Sequence, residues 1–416
     1  MSNANRELNP AILSISIFSI PVIVAALGYF VDIYDLLLFT QIRISSLKSL
    51  GLNEQDVSRI GASILNIQMI GLLIGGILWG MLGDKKGRLS VLFGSIVLYS
   101  LANIANGLVQ NVDQYKICRF IAGIGLAGEL GAGITLVSEL VSKEKRGIAT
   151  SLVAGIGLSG AVFAYFIKLH FDWRICYFIG GGLGLLLLLL RVSVFESGMF
   201  RSIEAHEVSR GNFGAFFTDA TRFKKYMLAI LIGLPTWYVI GRLLAFSNEY
   251  ATAFHVQGKI DPAKSVMYAY IAISIGDILI GVLSQFLKSR KVALFIFYGL
   301  TAIGLVLFFN QDGGSVAYMY LLCAFLGFGT GFWAIFVTMA AEQFGTNLRA
   351  TAATTAPNMV RGSLVLVTLL NDTLKPYYGF VHAAAITGVV VMTIATIAAI
   401  FTKETFGKDL DYIEVC

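Results

Sequence analysis

Apolar runs of about twenty residues follow one another along this chain, broken only by short polar stretches. A helix of that length crosses the hydrocarbon core of a bilayer, where every backbone polar group must be satisfied within its own segment. Composition points the same way. Of 416 residues, 56% are hydrophobic and 13% charged, and the mean hydropathy is +0.77. A soluble chain of this length would form about two or three domains, but it could not hide so much apolar surface. The net charge of +6 is spread along the chain with no basic patch on a soluble module, so no nucleic-acid partner is expected.

The pattern predicts twelve helices, at roughly 12–40, 57–80, 88–108, 115–140, 147–168, 173–194, 226–247, 266–287, 291–309, 316–341, 352–373 and 378–402. Six precede the polar stretch 195–225 and six follow it. The expected organisation is a six-helix bundle over 1–194, a cytoplasmic linker over 195–225, and a second bundle with a cytoplasmic tail over 226–416. Lys85, Lys86, Arg88, Lys143, Lys145 and Arg146 all fall between spans on one side, and basic residues mark the cytoplasmic face, so both termini are expected inside. The polar start runs into the first apolar segment without a small-residue cleavage site, so that segment reads as a span.

Two motifs repeat. Gly80-Met-Leu-Gly-Asp84-Lys85-Lys86-Gly87-Arg88 is a tight charged hinge between two apolar runs, and Gly281-Val-Leu-Ser-Gln285-Phe-Leu-Lys288-Ser-Arg290-Lys291 is a weaker copy. Glu139 lies seven residues before Arg146 and Glu342 seven before Arg349, with Ala149 and Ala352 three further on. A shared offset between two motifs argues for two homologous halves. Pro21 and Pro235 read as openings of the first and seventh helices. Gly123-x-Gly125-x-x-Gly128 and Gly155-x-Gly157-x-x-Gly160 match a dinucleotide fingerprint in letters only. That motif needs a βαβ unit, whereas glycines in an apolar helix let neighbouring helices approach closely.

Ionisable residues inside spans are costly and default to functional candidates. Asp32 and Asp35 stand three apart in the first helix, on one face. Two like charges in low dielectric resist being ionised together, as a proton carrier requires. The alternative is that the helix ends early and Asp32 is solvated. Glu129 lies deep in the fourth helix as a proton or substrate residue. Arg119 lies in the same helix, about 15 Å away along the axis, and reads either as a partner for Asp32 or Asp35 or as an interfacial cation. Arg242, following Trp237 and Tyr238, and Arg361, following Asn358, are candidates to grip a carboxylate. Tyr34 completes the substrate set. Gly80, Asp84, Lys85, Gly87, Arg88, Glu139, Arg146, Asp277, Glu342 and Arg349 form the expected cytoplasmic gate, whose ion pairs break on switching. The scattered His and Cys residues form no metal set.

Gly80-x-x-x-Asp84-Lys85-x-Gly87-Arg88 resembles the loop signature of the major facilitator superfamily. Asp32-x-Tyr34-Asp35 and Arg119-x-x-x-Gly123-x-Gly125-x-x-Gly128-Glu129 are similar to its metabolite:proton symporter branch, with Ala127 where that branch has a glycine. The tail Glu404-Thr-Phe-Gly-Lys408 is similar to sugar- and anion-porter C-termini. The resemblance implies an all-α polytopic membrane protein of twelve transmembrane helices in two pseudo-symmetric six-helix bundles, working as a monomer by alternating access. It implies no cofactor. It also implies proton-coupled import of a small, anionic organic substrate across a bacterial inner membrane, with proton-coupled export or a sugar-type porter as alternatives. Gln285 in place of a second Asp implies a weaker second hinge. Leu152–Ile167 has glycines but no Gly-Pro, which counts against drug antiport.

Overall fold

The computed structural model describes residue 16 and residues 18–141, 145–190 and 212–408, less the side chains of residues 54, 55, 88, 139 and 146. Within them the chain is helical almost throughout. Eleven stretches are long and apolar enough to cross a bilayer: Ile20–Ser49, Asp56–Lys86, Leu89–Leu108, Val112–Ser138, Gly147–His170, Trp173–Leu190, Ala220–Leu244, Pro262–Phe286, Arg290–Phe309, Val316–Glu342 and Arg349–Phe401. The last has 53 residues. At 1.5 Å per residue it would reach about 80 Å, more than twice the hydrocarbon thickness. Gly379, with φ 75° and ψ 173°, breaks it into an eleventh and a twelfth span. The fold is therefore the twelve-helix, two-bundle membrane architecture.

Polar residues at the membrane faces start the helices. The side chains of Asn53, Asn111, Asp219, Asp261, Ser289 and Ser315 accept hydrogen bonds from backbone N–H groups two or three residues on. Gly87 turns the chain from the second span into the third at φ 92°, a region a side chain disfavours. The bilayer-facing surface carries Ile74, Leu78, Leu101, Leu186, Leu189, Val306 and Leu366, all exposed.

The halves break at matching places. The fourth span divides into Val112–Leu126 and Glu129–Leu140, and the tenth into Val316–Gly329 and Trp333–Glu342. The fifth divides at Ser159 and the eleventh at Ser363, 204 residues later. The bundles meet along two lines that the repeat exchanges. A Cβ on Gly80 would meet Thr351, and one on Gly362 would meet Leu73, so the second and eleventh spans touch. Likewise Gly155 lies against Ser274 and Ile278, and Gly281 against Ser151, joining the fifth span to the eighth. Gly123 rests on the backbone of the second span and Gly160 on that of the first, the packing role expected of both glycine triplets.

Three local expectations shift. The first helix runs to Ser49, so Asp32 lies well inside it and is fully buried, not solvated at its end. Pro235 does not open the seventh span but sits within Ala220–Tyr238; lacking an N–H, it loosens the helix into a wide turn over Val239–Leu244. Of the linker, residues 195–211 lie outside the described residues, and Ala215–Thr218 forms a single helical turn.

Candidate functional site

At mid-depth, where the bundles meet, buried polar groups gather around Arg361. The break after Leu126 frees the carbonyl of Ala127, which accepts from Asn358 Nδ2 of the opposite bundle at 2.8 Å. Asn358 also donates to Thr354 O at 2.8 Å, and its Oδ1 accepts from Arg361 Nη1 at 3.1 Å. The amide thus aims the guanidinium. Arg361 Cζ lies 5.8 Å from the Trp333 ring centroid, and Tyr29 of the first span lies within electrostatic reach of Arg361, Asp32, Tyr270 and Asp277.

Tyr29, Trp333 and Arg361 are at most 2% exposed. Their Oη, Nε1 and Nε atoms have no hydrogen-bond partner among the described residues. All three are donors. A buried donor without a partner is costly, and two such donors beside a guanidinium that itself has one fit a ligand that only accepts, as a carboxylate does.

Glu129 begins the second half of the broken fourth span, where the helix dipole favours an anion, and is buried. Two residues on, Gly131 packs on Thr354 of the eleventh span. Asp277 has a different position from the one expected. Its Oδ1 accepts from Ala334 N at 2.9 Å, so it caps the second half of the broken tenth span within the second bundle, instead of standing at the membrane face.

A second cluster is internal to the first bundle. Arg119 is fully buried; it donates to Asn103 Oδ1 at 3.3 Å and to the Asp35 carbonyl at 3.2 Å, and faces the Tyr177 ring at 5.5 Å. The carboxyl oxygens of Asp35 have no hydrogen-bond partner among the described residues, and the side chain lies against Gly180 of the sixth span. Tyr34 donates to Cys176 O at 2.8 Å, so its hydroxyl faces the sixth span. A third cluster lies nearer the face opposite the 84–88 turn. Arg242 sits in the wide turn, 5.6 Å from the rings of both Phe246 and Phe380, with Arg43 4.5 Å from Phe246; Trp237 is buried one turn before.

At the face carrying the 84–88 turn, Asp84 accepts from Ala350 N at 3.1 Å, Thr351 N at 2.8 Å and Thr351 Oγ1 at 2.6 Å. The hinge thereby caps the helix that starts at Arg349 in the other bundle. Lys85 and Lys86 are exposed. In the repeat, Gln285 approaches Gly147, but its Nε2 has no partner among the described residues. Glu342 was expected to act across the halves with Arg349 nearby. Instead it holds Arg290 of its own bundle through two 2.7 Å bonds. Arg349 is buried at the start of its helix. The side chains of Arg88, Glu139 and Arg146 lie outside the described residues.

Sequence reasoning did not single out Tyr29, Arg290 and Arg43, and it read Trp333 only as one of several aromatics that could line a cavity. Tyr29 stands three residues before Asp32, a one-face spacing, and Arg290 occupies the place of Arg88 in the second copy of the hinge motif. Arg43 falls beyond the expected end of the first helix at residue 40, whereas the helix runs to Ser49.

A family profile described as Major Facilitator Superfamily matches residues 8–369. The niacin transporter NiaP of Acinetobacter baylyi is 27% identical over 421 aligned residues, covering 94% of this chain and 95% of that protein. The 3-(3-hydroxy-phenyl)propionate transporter of Escherichia coli is 27% identical over 305 residues, 70% of this chain and 72% of its own. Among solved structures, the proton:xylose symporter XylE bound to 6-bromo-6-deoxy-D-glucose superposes with a TM-score of 0.73 at 20% identity, covering 95% of this chain and 97% of that one.

Proposed function

Because this chain belongs to the Major Facilitator Superfamily, and is thus an integral-membrane secondary transporter of small organic molecules, we propose that it imports an aromatic or heteroaromatic carboxylate together with protons. The units that rock are 1–194 and 226–416, joined by 195–225, within one monomer. Both termini lie in the cytoplasm and the membrane is a bacterial inner membrane, so the face bearing the 84–88 turn is the inner one. The reading is carried by the three partnerless donors of Tyr29, Trp333 and Arg361, contributed by both bundles.

In this reading the substrate carboxylate lies on Arg361, which Asn358 orients, and Trp333 and Tyr29 supply donors and ring faces. Arg242 and Arg119 keep the route electropositive, with Trp237 and Tyr34 packing behind them. Asp32, Asp35 and Glu129 carry protons; protonation removes charges that otherwise oppose closing the site in low dielectric. The names of the niacin and hydroxyphenylpropionate transporters support an aromatic acid as cargo.

The test is uptake into proteoliposomes of nicotinate, 3-(3-hydroxyphenyl)propionate and the uncharged nicotinamide, with and without an acid exterior. Carboxylate uptake stimulated at least fivefold by the gradient, weaker uptake of the amide, and a loss of at least tenfold in Arg361→Gln are expected. Equal uptake of acid and amide, or indifference to the gradient and to Asp32→Asn, would overturn the reading.

A further inference from the structure

Near the face opposite the 84–88 turn, the first, fifth and eighth spans enclose a cavity of about 240 Å³ lined by Thr40, Gln41, Arg43, Ser45, Lys168 and Asp261. It lies between the bundles. The first and fifth spans belong to one half and the eighth to the other, and Lys168 Nζ bonds Asp261 Oδ2 across the gap at 2.9 Å.

Arg43 gives the cavity its chemistry. It is 5% exposed, its Nε has no hydrogen-bond partner, and it makes no ion pair among the described residues. The Phe246 ring covers one side of the guanidinium, and Arg242 approaches the same ring, so two cations share one aromatic side chain. Glu249 lies within electrostatic reach of Arg43 but forms no ion pair with it, and its Oε1 accepts from Ser58 Oγ of the other bundle at 2.9 Å. A ring face compensates a buried cation only in part, and the one carboxylate in the lining, Asp261, is paired with Lys168, so the cavity holds one cation more than it has anions. Gln41 adds an acceptor: its Nε2 is bound to Ala161 O at 2.8 Å, and its buried Oε1 has no partner, which suits a hydroxyl or N–H on the same ligand.

We propose that this cavity is a capture site for the substrate, separate from the central one: a small carboxylate pairs with Arg43 and draws Lys168 away from Asp261, so that arrival of the anion releases a cross-bundle strap. The proposal rests on the transport reading for its direction, and on the cavity and the unpaired guanidinium for its chemistry. Two cations serve one incoming anion in turn, Arg43 at the mouth and Arg242 beyond Phe246. Arg361 receives it at mid-depth.

The experiment has two arms. Ser45→Cys, in a background lacking the four native cysteines, is labelled in detergent with the anionic reagent methanethiosulfonate ethylsulfonate. Nicotinate and 3-(3-hydroxyphenyl)propionate are expected to slow labelling at least fivefold, nicotinamide less than twofold, and Arg43→Gln to abolish the protection. In proteoliposomes, Arg43→Gln should raise the KM for the transported carboxylate at least tenfold with kcat within twofold, Arg43→Lys should restore part of it, and Lys168→Ala should raise KM about threefold. The labelling arm needs no transport, so a wild type that transports no carboxylate counts against the transport reading alone. Unchanged protection in Arg43→Gln, or an unchanged KM in both Arg43→Gln and Lys168→Ala, overturns the capture site. Should Arg43→Gln fail to fold, Arg43→Lys and Lys168→Ala decide between these outcomes.

Discussion

Asp84 of the second span accepts a 2.8 Å hydrogen bond from the backbone N–H of Thr351 in the eleventh, so a carboxylate of one bundle caps a helix of the other. The bond from Ala350 N and the Thr351 hydroxyl complete the cap. Charge-assisted bonds of this kind contribute about 1.5–3 kcal/mol each when buried. The cap joins the two bundles, so parting them at this face would break it, and it would act there as a latch.

Weakening the latch should shift the population of the two closures. Asp84→Asn keeps the shape and loses the charge, and a cost of about 1.5–3 kcal/mol moves a two-state equilibrium roughly 10–100-fold. The expected outcome is at least tenfold faster labelling of a cysteine at Thr354 by a reagent applied to the 84–88 face. Labelling at the wild-type rate would show that the cap does not hold this closure.

Asp277 is expected to matter for its acceptor more than for its charge. Asp277→Ala leaves the N–H of Ala334 without its cap and should destabilise the protein by about 1–3 kcal/mol. Asp277→Asn keeps an oxygen in place and should recover most of that. Thermal unfolding in detergent reads the difference; equal losses in the two variants would contradict the capping role.

Glycine positions divide by what they touch. A methyl on Gly160 runs into the backbone carbonyl of Phe30, whereas one on Gly182 meets nothing within 4 Å. Gly160→Ala should therefore cost about 1–3 kcal/mol by overpacking. Gly182→Ala should be neutral or stabilising by about 0.5–1 kcal/mol through helix propensity. Matching melting temperatures for the two variants would mean that the first and fifth spans do not pack this closely.

The C-terminal segment carries a pH dependence. Burial alone would push the Glu404 carboxyl up, but bonds from the Ser289 hydroxyl and from the N–H groups of Phe406, Arg290 and Lys291 outweigh it and hold it below the ordinary range. A carboxyl depressed in the folded state contributes stability that is whole above its unfolded value, about 4.3, and is lost as pH falls through the folded value. Glu404→Gln should lower Tm by about 1–2 °C at pH 7, a small effect because the group is partly exposed. The wild-type and variant curves should converge toward pH 3. A gap that persists there would assign the effect to packing instead.

What the sequence made legible was set by the scale of each signal. Twelve crossings and two related halves follow from run length and from motifs such as Asp84 and Glu342 with their partners in the repeat. Helix ends near buried polar residues were not legible. Gln41, Arg43 and Ser45 lower the local apolar density, so the first helix looked finished before it was, although Gln41 and Arg43 are buried among the other spans. Breaks inside spans also escaped. Gly128-Glu129 and Gly331-Phe332-Trp333 read as continuous apolar helix, and only the third dimension shows the carbonyl of Ala127 turned to Asn358. Asp277 looked like a gate residue from its nearness in sequence to Gly281, but the helix it caps lies in another span. The partnerless donors of Tyr29 and Trp333 were beyond reach for a different reason, since a missing hydrogen bond is a property of surroundings.

The central claim is that the two bundles close one face as they open the other. Spin labels at Lys85→Cys and Lys403→Cys report across the 84–88 face, and labels at Arg59→Cys and Asp312→Cys, all exposed positions, across the opposite one. Distances are read by double electron–electron resonance in the same lipid, with and without carboxylate at low and high pH. The account predicts that conditions lengthening one distance shorten the other. Distances that stay fixed in every condition, or that lengthen together, would contradict it.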